Sequence, residues 1–272
     1  MPSDDNAPLA VERQRIILSL LNREGVVRNA ELKELLSVSL VTIRSDLREL
    51  EAAGECEIIW GGAVSKRPSP DREELLDQRS QLNPAQKKRI GQRAAQLIDV
   101  GQTIIVDAGT TTVEFVHHLP RDLEYLRIVT PALNIAWAAA YYPNVETVMT
   151  GGVLRNLTRS LIGAQTLRTL EMINADWVFL ASGGFSLERG VTTGNILEVE
   201  VKRTMAHRAT KVALLADSSK FGKVLSLTVL PLEQLDMIIT DSGLPASDVR
   251  NIEALGVEVT WHPETQSITL TR

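Results

Sequence analysis

The amino-acid sequence predicts an α/β protein: a small N-terminal winged helix-turn-helix followed by a larger, doubly wound α/β domain. Two observations predict this class. Three short amphipathic helices and a strand occupy roughly the first sixty residues, and from residue 83 onward strands and helices alternate. A tight turn between the second and third helices is typical of a helix-turn-helix. Alternation of strands and helices favours a mostly parallel sheet covered on both faces.

The composition is that of an ordinary globular protein. The 272 residues are 44% hydrophobic and 23% charged, with a net charge of −5, which is enough chain for two domains. No apolar run reaches the roughly 18 residues of a membrane helix, and the acidic N-terminus is unlike a signal peptide. The single cysteine, Cys56, suggests a reducing compartment, so we expect a cytoplasmic protein. The four histidines have no metal-site spacing, and neither a metal nor a cofactor is expected.

The N-terminal elements follow from apolar spacing and from cap residues. Ile16, Ile17, Leu20 and Leu21 form the stripe of a first helix over 11–24, which Gly25 ends. Asn29 and Ser39 are expected to cap helices over 30–36 and 39–53. The run 56–60 is typical of a strand, and the glycine pair at 61–62 closes it like the wing of a winged helix.

The third helix decides what this small domain binds. In a helix-turn-helix, the N-terminal part of the second motif helix enters the DNA major groove. Arg44 can reach guanine or phosphate, Thr42 a phosphate or base edge, and Val41 a thymine methyl. The candidate DNA-binding residues are Ser39, Val41, Thr42, Arg44, Ser45 and Arg48.

The charge of the N-terminal region leaves an alternative open. Residues 1–62 contain seven Lys or Arg against eleven Asp or Glu, a net charge of −4. Because phosphate neutralisation supplies much of DNA affinity, the usual basic surface is missing. A small helical module for protein contacts is therefore the alternative to DNA binding.

Two prolines in the stretch 66–71 mark the domain boundary, since they resist both helix and strand. We expect a DNA-binding domain over 1–63, a linker over 64–82 and an effector-sensing α/β domain over 83–272. Asn83 is expected to cap the first helix of that domain, with Pro84 at its first position. The apolar runs predict strands at 103–106, 127–129, 145–149, 177–181, 212–216, 237–240 and 257–261, and helices between them at 132–140, 163–173, 197–209 and 247–255.

Polar and small residues follow the first predicted strand, at 107–112. A turn into a helix N-terminus leaves N–H groups unpaired and favours an anion. Threonine hydroxyls add donors, and Asp107 can accept hydrogen bonds from ligand hydroxyls. This combination suggests a phosphorylated sugar or polyol. The alternative is an ordinary strand-to-helix turn with threonine as the N-cap.

Four further strand ends carry similar residues, and ligands of open α/β sheets bind at the carboxyl ends of the strands. Lys220 is expected to supply a positive charge for the ligand anion, whereas Arg155 and Lys202 are weaker candidates that could equally be solvated surface charges. Ordinary αβ loops are also rich in Gly, Ser and Asp, which is the alternative to a ligand crevice. The candidate ligand-binding residues are Asp107, Gly109, Thr110, Thr111, Thr112, Asn134, Gly151, Gly152, Arg155, Gly183, Gly184, Lys202 and Lys220.

The stretch 38–47, V-S-L-V-T-I-R-S-D-L, with the later L-E at 50–51 and G-G-A at 61–63, resembles the N-terminal signature of the DeoR family of bacterial transcription regulators. The family pattern is V-S-x-x-T-I-R-R-D-L with a wing that ends in H-G-G-A. Three departures remove basic groups: Ser45 replaces the second arginine, Ile58 the wing arginine and Trp60 the histidine.

The second half resembles the DeoR sensor domain, which is related in fold to ribose-5-phosphate isomerase. The matching pieces include D-A-G-T-T at 107–111, the pair at 151–152 and D-S-S-K-F-G at 217–222, and Arg79, Asn83 and Lys87 stand at the spacing of a further family signature. The resemblance implies a DNA-binding regulator, a repressor of a carbohydrate uptake or catabolic operon, that a phosphorylated sugar releases from operator DNA. One winged helix buries too little DNA for a tight site, so we expect a homodimer or homotetramer.

A sugar-phosphate isomerase with an accessory N-terminal module is the alternative function. Isomerisation needs a carboxylate as general base beside the substrate carbon. The related isomerases carry acidic residues after the fourth strand, but here the turn 181–186 reads A-S-G-G-F-S. The missing base argues against an enzyme.

Overall fold

The structure is a computed structural model that describes residues 9–65 and 76–261, without the side chains of 22–24. The chain divides into two compact units, Met1–Glu74 and Leu75–Arg272. The expected linker over 64–82 thus contains the last two residues of a strand and one short helix, and its remaining part, 66–75, lies outside the described residues. In the described ranges, no helix combines the length and apolar character needed to cross a bilayer.

The first unit is a winged helix-turn-helix, as the sequence predicted. Its elements are α1 Ala10–Glu24, β1 Val26–Arg28, α2 Asn29–Leu36, α3 Leu40–Ala52, β2 Cys56–Ile59 and β3 Gly62–Ser65. The three strands form an antiparallel sheet in the order β1-β3-β2, of which only β2 was predicted. One core joins helices and sheet, formed by Ile17, Leu21, Val27, Leu32, Leu36, Ile43, Leu47, Leu50, Cys56 and Ala63.

The helix ends explain the turns of this unit. Gly25 adopts a left-handed conformation (φ 74°), and its N–H donates to the carbonyl of Leu21 at 2.9 Å, which ends α1. Ser39 caps α3 as expected, because its Oγ accepts from Thr42 N at 3.1 Å. Asn29 is the first residue of α2 rather than its cap; Arg28 stands at the cap position and makes no side-chain bond there.

The second unit is the predicted doubly wound α/β domain. Seven parallel strands pair in the order β15-β14-β12-β9-β4-β5-β6. They are β4 Thr103–Val106, β5 Leu126–Thr130, β6 Val145–Met149, β9 Ala175–Leu180, β12 Ala209–Leu215, β14 Met237–Ile239 and β15 Glu258–Thr260. The helices are α4 Leu76–Gln81, α5 Pro84–Ala95, α6 Thr110–His117, α7 Leu133–Ala139, α8 Ala164–Glu171, α9 Ile196–His207 and α10 Ala246–Glu253.

The strand order defines a switch point between β4 and β9. From β4 the chain continues outward to β5 and β6, and it then crosses to β9, β12, β14 and β15 on the other side. The loops that follow β4 and β9 therefore leave the sheet in opposite directions. A crevice at such carboxyl ends is where open α/β sheets bind ligands.

Two small sheets were not predicted from the sequence. β7 Val153–Arg155 and β8 Ser160–Ile162 form a hairpin, and β10 Gly184–Ser186, β11 Gly190–Thr193 and β13 Leu227–Leu230 form a three-stranded antiparallel sheet. Strands of three or four residues with few consecutive apolar side chains give no clear periodic signal. Both additions extend from loops at the carboxyl edge of the main sheet.

Candidate functional site

A buried ion pair joins the two loops at the switch point. Asp107 follows β4, and its Oδ1 accepts from Ala108 N at 2.8 Å while Oδ2 accepts from Ala181 N at 2.9 Å. The ammonium group of Lys202, on α9, donates to Asp107 Oδ2 and to the carbonyl of Ala181 at 2.8 Å. Because Ala181 follows β9, the pair holds together the ends of both strands.

This geometry changes the roles expected of Asp107 and Lys202. Their exposed fractions are only 3% and 6%. Asp107 Oδ2 accepts two hydrogen bonds and Oδ1 one, so the carboxylate keeps a single acceptor position at most. Asp107 was expected to bind ligand hydroxyls, and Lys202 to bind the ligand or solvent. In the structure each stabilises the other's charge inside the protein, and Lys202 is buried rather than solvated, while a ligand contact of Asp107 stays a prediction.

The start of α6 keeps the features of an anion site, with one exception. The first backbone N–H groups of an α-helix have no partner within the helix, and here they belong to Thr110, Thr111 and Thr112. Thr112 is fully buried and its hydroxyl donates to the carbonyl of Asp107 at 2.8 Å. Its side chain therefore fixes the turn, so its hydroxyl proton is not available to an anion.

Two buried polar atoms beside this helix end have no partner among the described residues. They are Ser182 Oγ, in the loop after β9, and Asn134 Oδ1, on α7. Asn134 is oriented by its other amide atom, since Nδ2 donates to the carbonyl of Gly109 at 3.1 Å. Leaving a buried polar atom unpaired costs about 1–3 kcal/mol, so a water molecule or a polar ligand is expected to complete the bonding of these two atoms.

A second buried network centres on Glu198, which the sequence analysis missed. Its Oε1 accepts from Arg155 at 2.8 Å and from Thr158 at 3.1 Å, and its Oε2 accepts from Thr193 at 3.1 Å. Burial alone raises the pKa of Glu198, but the charges of Lys202 and Arg155 and these hydroxyl bonds outweigh it and lower that pKa. Arg155, a candidate ligand residue, is thus paired with a carboxylate. The sequence feature that could have identified Glu198 is its i, i+4 spacing from Lys202 on α9, which places the two side chains on one face of the helix.

Packing inside the protein by itself requires glycine at these pairs, and the expected close approach of a ligand to them stays a prediction. A Cβ on Gly184 would lie 2.3 Å from the carbonyl of Lys223, and one on Gly183 would lie 2.3 Å from Leu225 Cδ1. Gly152 (φ 123°) would meet Thr166 Oγ1 at 2.3 Å, and Gly151 has φ 70°. Gly109 likewise lets β9 approach, because its Cβ would lie 2.6 Å from Ala181 Cβ.

The loop after β12 brings Lys220 to the same edge of the sheet and is tied to the start of α5. Asn83 does not cap α5 with its side chain as expected; it stands in the left-handed region (φ 48°) and its Nδ2 donates to Asp217 Oδ1 at 3.0 Å and Ser219 Oγ at 3.1 Å. Lys87 is 4% exposed and donates to the carbonyls of Arg79 and Leu82. Desolvation lowers the pKa of Lys87, against the attraction of Asp217.

In the first unit, α3 presents its predicted face to solvent. Val41 is 76% exposed, and Arg44, Ser45 and Arg48 are also exposed. The hydroxyls of Ser39 and Thr42 lie 2.8 Å apart and hydrogen-bond to each other at the start of the helix. Asp46 is directed inward instead, where a two-pronged ion pair with Arg13 at 2.8 and 3.0 Å neutralises it. The exposed face of α3 therefore carries Arg44 and Arg48, while the carboxylate of Asp46 is buried.

A winged helix-turn-helix with an exposed face on α3, followed by a separate α/β unit with polar residues at its switch point, is the arrangement of a two-domain transcription regulator with a sensor domain. The sequence matches the DeoR-like helix-turn-helix domain over residues 13–69 and the DeoR C terminal sensor domain over residues 82–242. The chain belongs to the DeoR family of transcriptional regulators, and it is a DNA-binding regulator rather than an enzyme.

Curated relatives align over most of their length. The chain is 35% identical to the "Putative aga operon transcriptional repressor" of Escherichia coli O157:H7, over 91% of this chain and 92% of that one. It is 37% identical to the "HTH-type transcriptional regulator GlpR" of Haloferax volcanii, over 92% and 97%. It is 31% identical to the "Glycerol-3-phosphate regulon repressor" of Escherichia coli K12, over 87% and 92%.

Solved structures show weaker similarity. A probable sor operon regulator from Shigella flexneri aligns over 67% of this chain and 92% of that chain, with 14% identity and a TM-score of 0.45. Ribose 5-phosphate isomerase A from Methanocaldococcus jannaschii aligns over 52% and 56%, with 16% identity and a TM-score of 0.39. Similarity at this level carries no argument about function.

Proposed function

We propose that this regulator represses a carbohydrate uptake or catabolic operon, and that a phosphorylated sugar or related metabolite in the switch-point crevice releases it from DNA. The observation that carries the proposal is the pair of unpartnered buried atoms, Ser182 Oγ and Asn134 Oδ1, beside the start of α6. The phosphate of such a ligand would accept hydrogen bonds from the N–H groups at the start of α6, and its sugar hydroxyls would bond to these two atoms. The names of the aga and glycerol-3-phosphate relatives agree with this class of operon and ligand.

Within this proposal the candidate residues divide into three roles. Thr110, Thr111 and the backbone of Thr112 bind phosphate together with Lys220. Asn134 and Ser182 bind hydroxyls. The buried charges and the glycine residues shape the crevice without contacting the ligand; these are Asp107, Gly109, Gly151, Gly152, Arg155, Gly183, Gly184 and Lys202.

The DNA-binding role belongs to the domain over 1–63, and α3 enters the major groove with Arg44 toward the bases. A homodimer or homotetramer doubles this contact on operator DNA, because one such module buries too little surface for a tight specific site. The linker over 64–82 then separates it from the effector-sensing domain over 83–272. Sedimentation of the full chain with and without DNA measures the stoichiometry.

A thermal-shift screen tests the ligand class, with each sugar phosphate compared against its unphosphorylated sugar. A ligand at 100 times its dissociation constant stabilises the protein by about 2.7 kcal/mol, and only the phosphorylated form should do so. Ser182→Ala is the matched variant: it removes a hydroxyl that has no hydrogen-bond partner among residues 9–65 and 76–261, so the free protein should keep its melting temperature while the ligand shift decreases. Equal shifts with sugars and sugar phosphates would contradict the proposed ligand.

The geometry around α4 supports a route from the crevice to the DNA-binding unit. Leu76 N donates to the carbonyl of Leu157 at 3.3 Å, and Asp77 pairs with Arg159 at 2.7 Å, both in the β7–β8 turn. Asn83, just after α4, bonds the loop that carries Lys220. Helix α4 is the first described element of the second unit, so a ligand that moves either loop also moves α4.

Asn83→Gly should uncouple ligand binding from DNA release. Glycine keeps the left-handed backbone and removes only the side-chain bonds to Asp217 and Ser219. We expect the variant to bind DNA and sugar phosphate with near-normal affinity, while the ligand-induced loss of DNA affinity falls at least several-fold. DNA binding by anisotropy across a ligand titration measures this. Release as complete as in the unmodified protein would contradict the α4 route.

A further inference from the structure

We propose that Trp60, at the tip of the β2–β3 hairpin, is a DNA contact that inserts into the minor groove beside the site read by α3. The inference rests on the proposed placement of α3 in the major groove. The DeoR signature has basic residues in the wing, and this sequence has Ile58 and Trp60 at those positions. The inference assigns an apolar contact to the wing in their place.

Trp60 projects fully into solvent. Its exposure is 101%, whereas the preceding Ile58 and Ile59 expose 38% and 40%. Soluble proteins rarely leave a whole indole in water, since tryptophan carries a large apolar surface. Trp60 also lies outside the core cluster of this unit, so folding does not explain its presence.

The backbone beneath Trp60 is held firmly. Gly61 adopts φ 83° and its carbonyl accepts from Asn29 N at 2.8 Å, which ties the hairpin tip to the start of α2. Gly62 packs so closely on β1 that a Cβ there would lie 1.9 Å from the carbonyl of Val27. Ile58 N donates to Glu51 Oε1 at 2.7 Å, which ties β2 to α3. A fixed backbone that carries an uncommitted aromatic side chain is preorganised for binding.

The form of the tip suits a groove in DNA better than a flat protein surface. Trp60 stands at the end of a short exposed apolar run with Ile58 and Ile59, and the two glycines after it add no side chain, so the apolar surface of the tip is narrow compared with the area that protein interfaces require. The minor groove is about 6 Å wide, and proteins often insert apolar side chains there between base steps. Insertion of this kind does not depend on basic charge, in agreement with the net charge of −4 over residues 1–62.

Charges around the tip are mixed, which favours an apolar mode of contact over a purely ionic one. Arg28 is exposed and paired in register with Gly62, so it can reach a phosphate on the groove edge. Glu31 in the first turn of α2 and Glu57 in β2 are exposed as well. The tip therefore gains little from charge alone, and the indole supplies the main favourable surface.

The test is anisotropy titration of full-length protein with a labelled duplex from the DNA upstream of its own gene, at several salt concentrations. Trp60→Ala should weaken binding roughly 10- to 100-fold, the range that aromatic–base stacking gives on alanine substitution. The slope of log affinity against log salt should stay unchanged, because no phosphate contact is lost. Trp60→Phe should retain most of the affinity. Trp137→Ala, which removes another exposed tryptophan (72%), is the matched control and should bind normally.

Tryptophan quenching gives a second readout. Iodide should quench free protein more than the DNA complex, and this difference should largely disappear in Trp60→Phe. Binding of Trp60→Ala within twofold of the unmodified protein would overturn the inference while leaving the regulator function intact. A change in sedimentation of Trp60→Ala without DNA would overturn it in favour of a contact between two copies of the chain. Failure of the unmodified protein to bind the duplex would overturn both the inference and the proposed function.

Discussion

Asp107→Ala should lower the free energy of unfolding of the second unit by about 3–5 kcal/mol, the cost of removing one partner from a buried ion pair. The substitution leaves the Lys202 ammonium, 6% exposed, beside the carbonyl of Ala181 and without its carboxylate. It also removes the acceptor of the N–H groups of Ala108 and Ala181, which hold the ends of β4 and β9 together. Urea unfolding followed by circular dichroism measures the loss.

Lys202→Met is the reciprocal variant and should be similarly destabilising, since it leaves Asp107 charged and buried. The double variant Asp107→Ala, Lys202→Met should lose less stability than the two single losses added together, because no unpaired charge remains. Losses below about 1 kcal/mol in both single variants would contradict a buried pair. Additive losses in the double variant would contradict direct pairing.

Arg44→Ala should weaken specific DNA binding roughly 10- to 100-fold, as expected for loss of a base-contacting arginine. Arg44 is exposed on α3 and outside the core of the first unit, so the melting temperature should not change. Anisotropy with specific and scrambled duplexes separates two roles for the side chain. A base contact lowers only specific affinity, whereas a phosphate contact weakens both and reduces the salt slope by about 1.

Two further variants on α3 serve as comparisons for Arg44→Ala. Arg48→Ala removes an exposed arginine one turn further along α3 and should have the smaller effect, because the N-terminal part of the helix enters the groove. Ser45→Arg adds a basic group beside Arg44 and should strengthen binding at low salt. Unchanged specific affinity in Arg44→Ala would contradict the placement of α3 in the major groove.

The main architecture could be predicted because burial leaves a direct mark on the sequence. The inner strands of the large sheet contain apolar runs, such as 104–106, 177–180 and 212–215, since helices cover both faces of a parallel sheet. Ser39 was identified as a cap because the hydroxyl and the N–H that it accepts from are only three residues apart. Signals of this kind are local, and one sequence contains all of them.

The partners of the charged groups could not be predicted, because they come from distant parts of the chain. Lys202 and Asp107 are separated by 95 positions, and Arg155 and Glu198 by 43. A sequence shows that a lysine or arginine is present but does not show which carboxylate neutralises it. The same limitation applies to the glycines. The sequence suggested that Gly183 and Gly184 leave space beside the backbone for a ligand, but Leu225 and Lys223, in the segment after β12, occupy the space beside them.

The Asp107–Lys202 ion pair affects how ligand selectivity can change during the evolution of a sensor domain with this fold. The charges at the base of the crevice cancel each other, so folding of the switch point does not require any particular ligand. In the proposed site, ligand selectivity would then depend on a few neighbouring positions, such as Asn134, Ser182 and Lys220, none of which bonds to Asp107 or Lys202 in the described hydrogen bonds. Mutation and selection can therefore change the recognised metabolite in small steps while the fold and its stability are inherited unaltered.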